Sequence, residues 1–317
     1  MTRSKLGRCL EVLAALLVAG CSEPPRPVKP EPSSLRKVGA AELTGIEGRY
    51  GDHAWLGVRF ARAPVGSLRF RAPQPVAPEG KREAMAFGAP CPQIGHPFGV
   101  ATAPRGEPVG EEDCLFLNVY APKMKPEQAA SSKLPVMVWF HGGGNVVGHA
   151  SGYDGGHLAQ RERLVVVTAN YRLGPFGWFR HAALGEGASP EDASGNYGTL
   201  DQIAALRWVQ QHIGSFGGDP GNVTIFGESA GARDVIALTV APPARGLFHR
   251  AIAQSGNVRV QSSEKAEAFA AAGGHPNSSS EIIARLLLRE GKAKDAAGAA
   301  ALLSERRRLE PETGVRT

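Results

Sequence analysis

The sequence lacks several patterns that would assign a protein to a class by themselves. The formal net charge is +6, but no basic stripe with interleaved aromatic residues occurs, so nucleic-acid binding is not expected. No spacing typical of metal ligands is present, and no phosphate-binding loop. The glycine-rich GGDPGN at 217–222 fits a turn between a helix and a strand. We therefore expect neither a metal nor another cofactor.

Cysteine is scarce, with four in 317 residues. Cys9 and Cys21 lie in the N-terminal segment, which leaves Cys91 and Cys114 for the rest of the chain. An oxidising compartment would favour a disulfide between these two, which would stabilise the fold by about 3 kcal/mol. Two buried free thiols are the alternative.

The N-terminus has the parts of an export signal. A basic start, MTRSKLGR, precedes VLAALLVAG, which is too short to cross a bilayer and has the size of a signal-peptide core. Val18-Ala19-Gly20-Cys21, which begins in the last three residues of this run, resembles a bacterial lipobox, in which the cysteine is lipidated and becomes the mature N-terminus. We predict a lipoprotein-type signal peptide over residues 1–20 and lipidation at Cys21. An ordinary secretory signal cut nearby is the alternative.

A proline-rich stretch follows the lipobox. SEPPRPVKPEPSS has five prolines in thirteen residues, which favours a stiff, extended chain. At about 3.1 Å per residue it would hold a domain about 40 Å from a membrane. We predict a tether over 21–38 and a folded domain over 39–317. The protein would be an exported bacterial cell-envelope lipoprotein, periplasmic or on the outer surface.

Strand and helix patterns alternate through the middle of the chain. Continuous apolar runs at 134–140 and 163–171 indicate strands covered on both faces, and 222–226 is a third candidate. Helical spacing over 199–216 separates the second strand from the third. A short helix through Leu238 and a strand over 250–255 come next. This alternation predicts an α/β fold with a mostly parallel sheet.

The pattern weakens beyond residue 260. An apolar stripe in EIIARLLLRE predicts one helix, capped by Ser279 or Ser280. The alanine-rich and then basic remainder does not complete a domain. The assignment of 260–317 is accordingly the least determined part of the predicted domain.

VTIFGESAGA at 223–232 places Gly-x-Ser-x-Gly between a strand and a helix. The motif is short enough to occur by chance, and its context is what gives it meaning. A strand–turn–helix arrangement presents the hydroxyl of Ser229 at the top of a sheet, on a turn that needs small neighbours. The amide of Ala230 then lies at a helix N-terminus, where it can face a developing oxyanion. Ser229 is the predicted nucleophile.

His141-Gly142-Gly143-Gly144 directly follows the first buried strand. Consecutive glycines allow backbone N–H groups to point toward one position without side chains in the way, as an oxyanion hole requires. A plain flexible turn is the alternative. Both motifs occur at the ends of buried strands, and this favours the oxyanion hole.

These stretches resemble the type-B carboxylesterases, the cholinesterase-like branch of the α/β-hydrolases. The resemblance covers about residues 40–257. Its segments are APVGSLRFRAPQP, EEDCLFLNVYAP, PVMVWFHGGG, VVVTANYRLGPFGWF, GNYGTLDQIAALRWVQQHIGSFGGDPGNVTIFGESAGA and GLFHRAIAQSG. It implies an α/β-hydrolase fold and hydrolysis of a small carboxylic ester through an acyl-enzyme, without a cofactor.

The resemblance also implies roles for individual residues. Ser229 would be the nucleophile, and the oxyanion would be bound by the amides of Gly143, Gly144 and Ala230. Glu228 and Ser255 would belong to a buried polar network beside the site. The structural features it implies are a Cys91–Cys114 disulfide, Arg69–Glu112 and Arg172–Asp201 ion pairs, and non-catalytic roles for His141 and His249.

The chain departs from the family pattern at two places near the site. The family usually has an aromatic residue after the triple glycine, where this chain has Asn145. It usually has small or apolar residues after GESAG, where this chain has Arg233 and Asp234. Either change is expected to narrow the acyl side of the pocket or make it more polar. Adjacent helix positions do not face each other, so no contact between Arg233 and Asp234 is expected.

The base of a catalytic triad is the missing element. In α/β-hydrolases the acid and then the histidine follow the serine in the chain, and in this family both lie well over a hundred residues beyond it. Only His249 and His275 follow Ser229. His249 enters a strand, and His275 lies in a loop where Glu264 or Glu267 would have to orient it.

We therefore expect a C-terminally truncated α/β-hydrolase domain that is catalytically incomplete by itself. A fragment that assembles with a separate C-terminal half is one alternative. A non-catalytic binding module of the same fold is another, although relatives of that kind typically lose the nucleophile that this chain retains.

Overall fold

The computed structural model describes residues 28–258 and 260–306. The predicted signal peptide and Cys21 lie outside the described residues. Two small sheets and one large sheet are present. The strands are β1 (Arg36–Val38), β2 (Ala40–Thr44), β3 (Ile46–Glu47), β4 (His53–Arg59), β5 (Glu79–Glu83), β6 (Gln93–Ile94), β7 (Pro108–Val109), β8 (Phe116–Ala121), β9 (Leu134–Phe140), β10 (Val165–Ala169), β11 (Gly218–Glu228) and β12 (Arg250–Gln254).

Helices connect these strands and cover the large sheet. They are α1 (Pro126–Ser131), α2 (Gly156–Glu162), α3 (Gly174–Gly177), α4 (Ala182–Gly185), α5 (Pro190–Ala193), α6 (Tyr197–His212), α7 (Ala230–Val240), α8 (Ser263–Glu267), α9 (Ser279–Arg289) and α10 (Ala296–Arg306). Within the described ranges, no helix combines the length and the apolar character needed to cross a membrane.

The large sheet has seven strands in the order β12-β11-β9-β10-β8-β4-β3. The strands β9 to β12 run parallel to one another, whereas β8, β4 and β3 are added by antiparallel pairing. The prediction of a parallel sheet therefore applies to the four strands that the alternating pattern covered. The antiparallel strands come from the N-terminal part, where short strands and turns follow one another without helices.

The core lies on both sides of β9 and β10. Every residue of β10 is buried, and alternate residues of β9 are buried, as expected for strands inside a sheet. Helix α6 packs Ile203, Leu206 and Val209 against this core, so the helical stripe that the sequence shows is its buried face. A 3₁₀ turn over Ile213–Phe216 extends it to the predicted end.

The predicted disulfide is confirmed. Cys91 and Cys114 are bonded, with their Cα atoms 5.0 Å apart, and both are buried. The two ion pairs are present as well. Arg69 binds Glu112 through two hydrogen bonds of 2.6 Å, and the buried Arg172 and Asp201 form a two-point pair of 2.8 and 2.7 Å.

Two predicted boundaries are wrong. The tether was expected to run to residue 38, but Arg36–Val38 pairs with β2, and both Arg36 and Val38 are buried. The folded part begins earlier because this segment pairs with β2 in antiparallel fashion, which the preceding proline-rich sequence does not predict. The cap of α9 is Ser278 rather than Ser279 or Ser280, since the Ser278 hydroxyl accepts from the amide of Glu281.

The helices beyond β12 form a small cluster of their own. Ala284, Ala299 and Leu303 are its buried residues. An ion pair of 2.7 Å between Arg180 and Glu267 joins α8 to the preceding part of the chain.

Candidate active site

The predicted nucleophile lies on a strained turn. Ser229 follows the last residue of β11 and precedes α7, with φ 54° and ψ −113°, a conformation that non-glycine residues rarely adopt. A Cβ added to Gly231 would lie 2.0 Å from the carbonyl oxygen of Phe140, so only glycine fits there. The strand–turn–helix geometry expected around Ser229 is therefore present.

The triple-glycine loop reaches the same edge of the sheet. Phe140 at the end of β9 is in register with Gly227 of β11, so the residues that follow each strand are neighbours. Gly143 and Gly144 have φ of 103° and 68°, which glycine adopts without strain. A Cβ on Gly142 would lie 3.4 Å from the Cβ of Ser229. The loop thus packs directly against the serine turn.

A hollow of about 830 Å³ opens in front of these elements. Ser229, Glu228 and the loop Gly142–Gly144 line one wall. The exposed apolar side chains of Ile94, Phe98 and Val146 are also among the lining residues. A serine hydroxyl, a glycine loop and apolar side chains that line one space are parts needed for attack on a carbonyl group bound there.

His141 supports the loop and does not face a substrate. Its ring is buried and stacked on Tyr171, with centroids 4.3 Å apart, and its Nδ1 lies 2.8 Å from the carbonyl oxygen of Gly142. Burial lowers the pKa of His141 to about 4, so the ring is neutral near pH 7. The structural role that the family resemblance implied fits this position.

The buried network expected around Glu228 and Ser255 is not present. Both residues are exposed. The reason lies in β12, an edge strand whose five residues are all exposed even though α7 lies beside it. Glu228 still lies at the site, because its Oε2 would be 2.9 Å from a Cβ on Gly142. Burial raises the pKa of Tyr153, and the charge of Glu228 raises it further.

Neither histidine after the serine reaches it. His249 accepts a hydrogen bond of 3.1 Å from the amide of Val223, six residues before Ser229 on β11, which is about 20 Å away along an extended strand. His275 accepts from the amide of Asn277 instead. Glu267, proposed to orient His275, is paired with Arg180.

Two other histidines line the hollow, and the sequence reasoning missed both. In His149, Nε2 lies 3.1 Å from the carbonyl oxygen of Gly99, and Nδ1 contacts the hydroxyl of Ser151. His96 accepts from the amide of Phe98. His96 is thus held within its own loop, whereas His149 contacts both its own loop and the one that contains Gly99. These two histidines line the hollow because of the conformation of their loops at the edge of the sheet. No sequence motif predicts that conformation.

A serine on a strained strand–helix turn, packed against a glycine loop at the carboxyl edge of parallel strands, defines the α/β-hydrolase class. The comparison with known families narrows this class. The model of the carboxylesterase family matches residues 38–301, and the chain belongs to that family.

Individual relatives agree with this assignment. A fatty acyl-CoA hydrolase precursor, medium chain, of Anas platyrhynchos is 46% identical over 270 residues, 81% of this chain and 45% of the relative. The para-nitrobenzyl esterase of Bacillus subtilis (strain 168) is 45% identical over 226 residues, 70% of this chain and 44% of the relative. A solved PNB esterase structure superposes with a TM-score of 0.65 at 36% identity, covering 88% of this chain and 52% of that one. The chain spans about half the length of the relatives it matches.

Proposed function

We propose that this chain carries the nucleophile and oxyanion hole of a serine carboxylesterase. The hydroxyl oxygen of Ser229 would attack the carbonyl carbon of an ester and lose its proton to a base. The oxyanion that forms would accept hydrogen bonds from the amides of Gly143, Gly144 and Ala230. The alcohol would leave with a proton, and water would then hydrolyse the acyl-enzyme. The observation that carries this proposal is the packing of the glycine loop against the strained turn at Ser229.

The rim of the hollow suits a small ester with an apolar group. Phe98 is 81% exposed and Val146 is 55% exposed, and both line the hollow at Ser229. An apolar acyl or alcohol group would cover them and gain about 25 cal/mol for each Å² removed from water. A covalent probe tests the nucleophile. When the chain is co-expressed with a C-terminal carboxylesterase half that supplies the base, a fluorophosphonate is expected to modify the peptide that contains Ser229 and to leave the Ser229→Ala variant unmodified.

We further propose that the chain alone is catalytically incomplete. Among the described residues no histidine contacts Ser229, and a serine enzyme deprived of its base loses about 10⁶ in kcat. The acid and base would come from a separate C-terminal half that covers the exposed side of β12. The exposure of all five β12 residues supports this arrangement.

Turnover of a short-chain nitrophenyl ester tests this second proposal. The chain alone is expected to turn over no faster than the Ser229→Ala variant, and co-expression with a C-terminal carboxylesterase half is expected to produce activity that depends on Ser229. Turnover by the chain alone above about 1 s⁻¹, lost in Ser229→Ala, would contradict incompleteness while supporting the nucleophile.

Export and membrane anchoring are a third proposal. The lipobox-like sequence ending at Cys21 supports it, and a Cys91–Cys114 disulfide suits an oxidising envelope compartment. Cells grown with labelled palmitate should incorporate the label into the wild-type protein and not into Cys21→Ser. Label that persists in the variant would exclude lipidation at this residue.

A further inference from the structure

The two departures from the family pattern are in direct contact. The amide nitrogen Nδ2 of Asn145 donates to Oδ1 of Asp234 over 2.9 Å. Asn145 directly follows Gly144, and Asp234 lies in the first turns of α7, five residues after Ser229. A hydrogen bond therefore joins the oxyanion loop to the helix that begins at the nucleophile.

Asp234 is buried and is held from several directions. It is 5% exposed, and its Oδ2 accepts from Nε2 of Gln202 on α6 over 2.8 Å. The hydroxyl of Tyr171 faces it as well, and the charge of the neighbouring Arg233 acts on it through space. No cation forms an ion pair with it in the described part of the chain. A buried carboxylate with neutral donors is costly unless each oxygen is satisfied, so this network specifies one arrangement.

Asn145 is anchored through its backbone as well as its side chain. Its φ is 61°, a left-handed conformation in which asparagine is several-fold enriched. Its carbonyl oxygen accepts a hydrogen bond of 2.7 Å from the amide of Gly174. Three successive glycines before it have more conformational freedom than any other tripeptide. Fixing Asn145 at one end, with His141 stacked on Tyr171 at the other, removes most of that freedom.

We propose that Asn145 and Asp234 form a latch that holds the amides of Gly143 and Gly144 in position against Ser229. Both are positioning residues, since they act on the oxyanion through the loop. This inference rests on the proposed function for its consequence in catalysis. The latch itself is a property of the folded chain and can be measured without turnover.

Hydrogen exchange of the full chain at pH 8, followed by mass spectrometry, measures the latch. Asn145→Asp sets two carboxylates against each other and is expected to speed exchange over 141–148 by about tenfold or more. Asp234→Asn is the matched conservative change. Oε1 of Gln202 has no partner in the described structure, so a flipped Gln202 can accept from the new amide. Exchange in this variant should stay within about threefold of the wild type.

The exchanged pair is the decisive variant. Asn145→Asp combined with Asp234→Asn restores one carboxylate facing one amide, and exchange over 141–148 should return to within about threefold of the wild type. Peptides from β4 and β8 serve as the internal control and should not change in any variant. An unchanged loop in Asn145→Asp, or no rescue in the double variant, would overturn the latch. Failure of fluorophosphonate to modify Ser229 in the chain co-expressed with a C-terminal half, with the exchange pattern intact, would overturn the proposed function and leave the latch standing.

Discussion

The strands β9 and β12 flank β11 in the same sheet and run in the same direction, but they differ in burial. Val136, Val138 and Phe140 of β9 are completely buried, and the glycine loop 142–144 follows shortly after the strand. All five residues of β12 are exposed, including the apolar Ile252 at 45%. One neighbour of β11 is thus buried in the core, and the other is an exposed parallel strand at the edge of the sheet.

The two neighbours of β11 therefore differ in how far they are shielded from solvent. Parallel strands are normally covered on both faces, and an exposed edge leaves N–H and C=O groups free to pair with another chain. The β9 side holds the glycine loop, the hydrogen bond between Asn145 and Asp234, and the strained turn at Ser229. On the β12 side, Glu228 and Ser255, which were expected in a buried polar network, are exposed to solvent.

The largest effect on stability is expected at Gly231, where α7 lies close to the end of β9. Gly231→Ala would drive a methyl group to 2.0 Å from the carbonyl oxygen of Phe140, and backbone atoms would have to move. We expect a loss of about 3 kcal/mol in the free energy of unfolding, measured by urea titration. Gly214→Ala is the control, since a Cβ there meets nothing within 4 Å. An equal loss in both variants would show that the close approach does not matter.

Measuring stability as a function of pH tests whether the carboxyl group of Asp234 is shielded from water. Burial raises the pKa of Asp234 from 3.8 to about 6, so the folded state holds this proton more tightly than the unfolded state. Its contribution to stability is therefore full below the unfolded pKa and is lost as pH rises through about 6. Between pH 4 and pH 7, the wild type should lose about 2 kcal/mol relative to Asp234→Asn. Parallel stability curves for the two proteins would place Asp234 in contact with solvent.

A pair of truncations compares the two strands directly. Val138 on β9 is in register with Ile225 of β11, and Ile252 on β12 is in register with Phe226. Val138→Ala is expected to cost about 2 kcal/mol because it leaves a cavity in the core. Ile252→Ala should cost less than about 1 kcal/mol, because its side chain is already half in water. Thermal unfolding measures both, and a reversed order would mean that β12 is covered in solution.

Sequence reasoning succeeded where a local pattern determines the structure. The turn at Ser229 needs only a strand, small residues and a helix in succession, and the loop after β9 needs only consecutive glycines. It failed where distant segments decide. The antiparallel partners of β8, the entry of Arg36–Val38 into the fold and the exposure of β12 all depend on pairings between segments far apart in the chain.

The contact between Asn145 and Asp234 shows the same limit. Each residue stood out by itself as a departure from the family pattern, and each was expected to change the acyl pocket. Their side chains instead meet 89 positions apart in the sequence. Only the register of β9 with β11 brings the two residues together.

The smallest effect concerns the residues that end β11 and β12. Ser229 and Ser255 immediately follow these strands, with φ of 54° and 56°, so both store backbone strain that glycine would release. Ser229→Gly and Ser255→Gly are each expected to stabilise the fold by about 1 kcal/mol in thermal unfolding. Only the first should abolish fluorophosphonate modification of the chain co-expressed with a C-terminal half. Ser229→Gly could stabilise the fold while Ser255→Gly leaves stability unchanged. That result would mean that the turn at Ser229 keeps its backbone strain because packed residues surround it. It would also mean that the exposed turn after β12 adopts an unstrained conformation in solution.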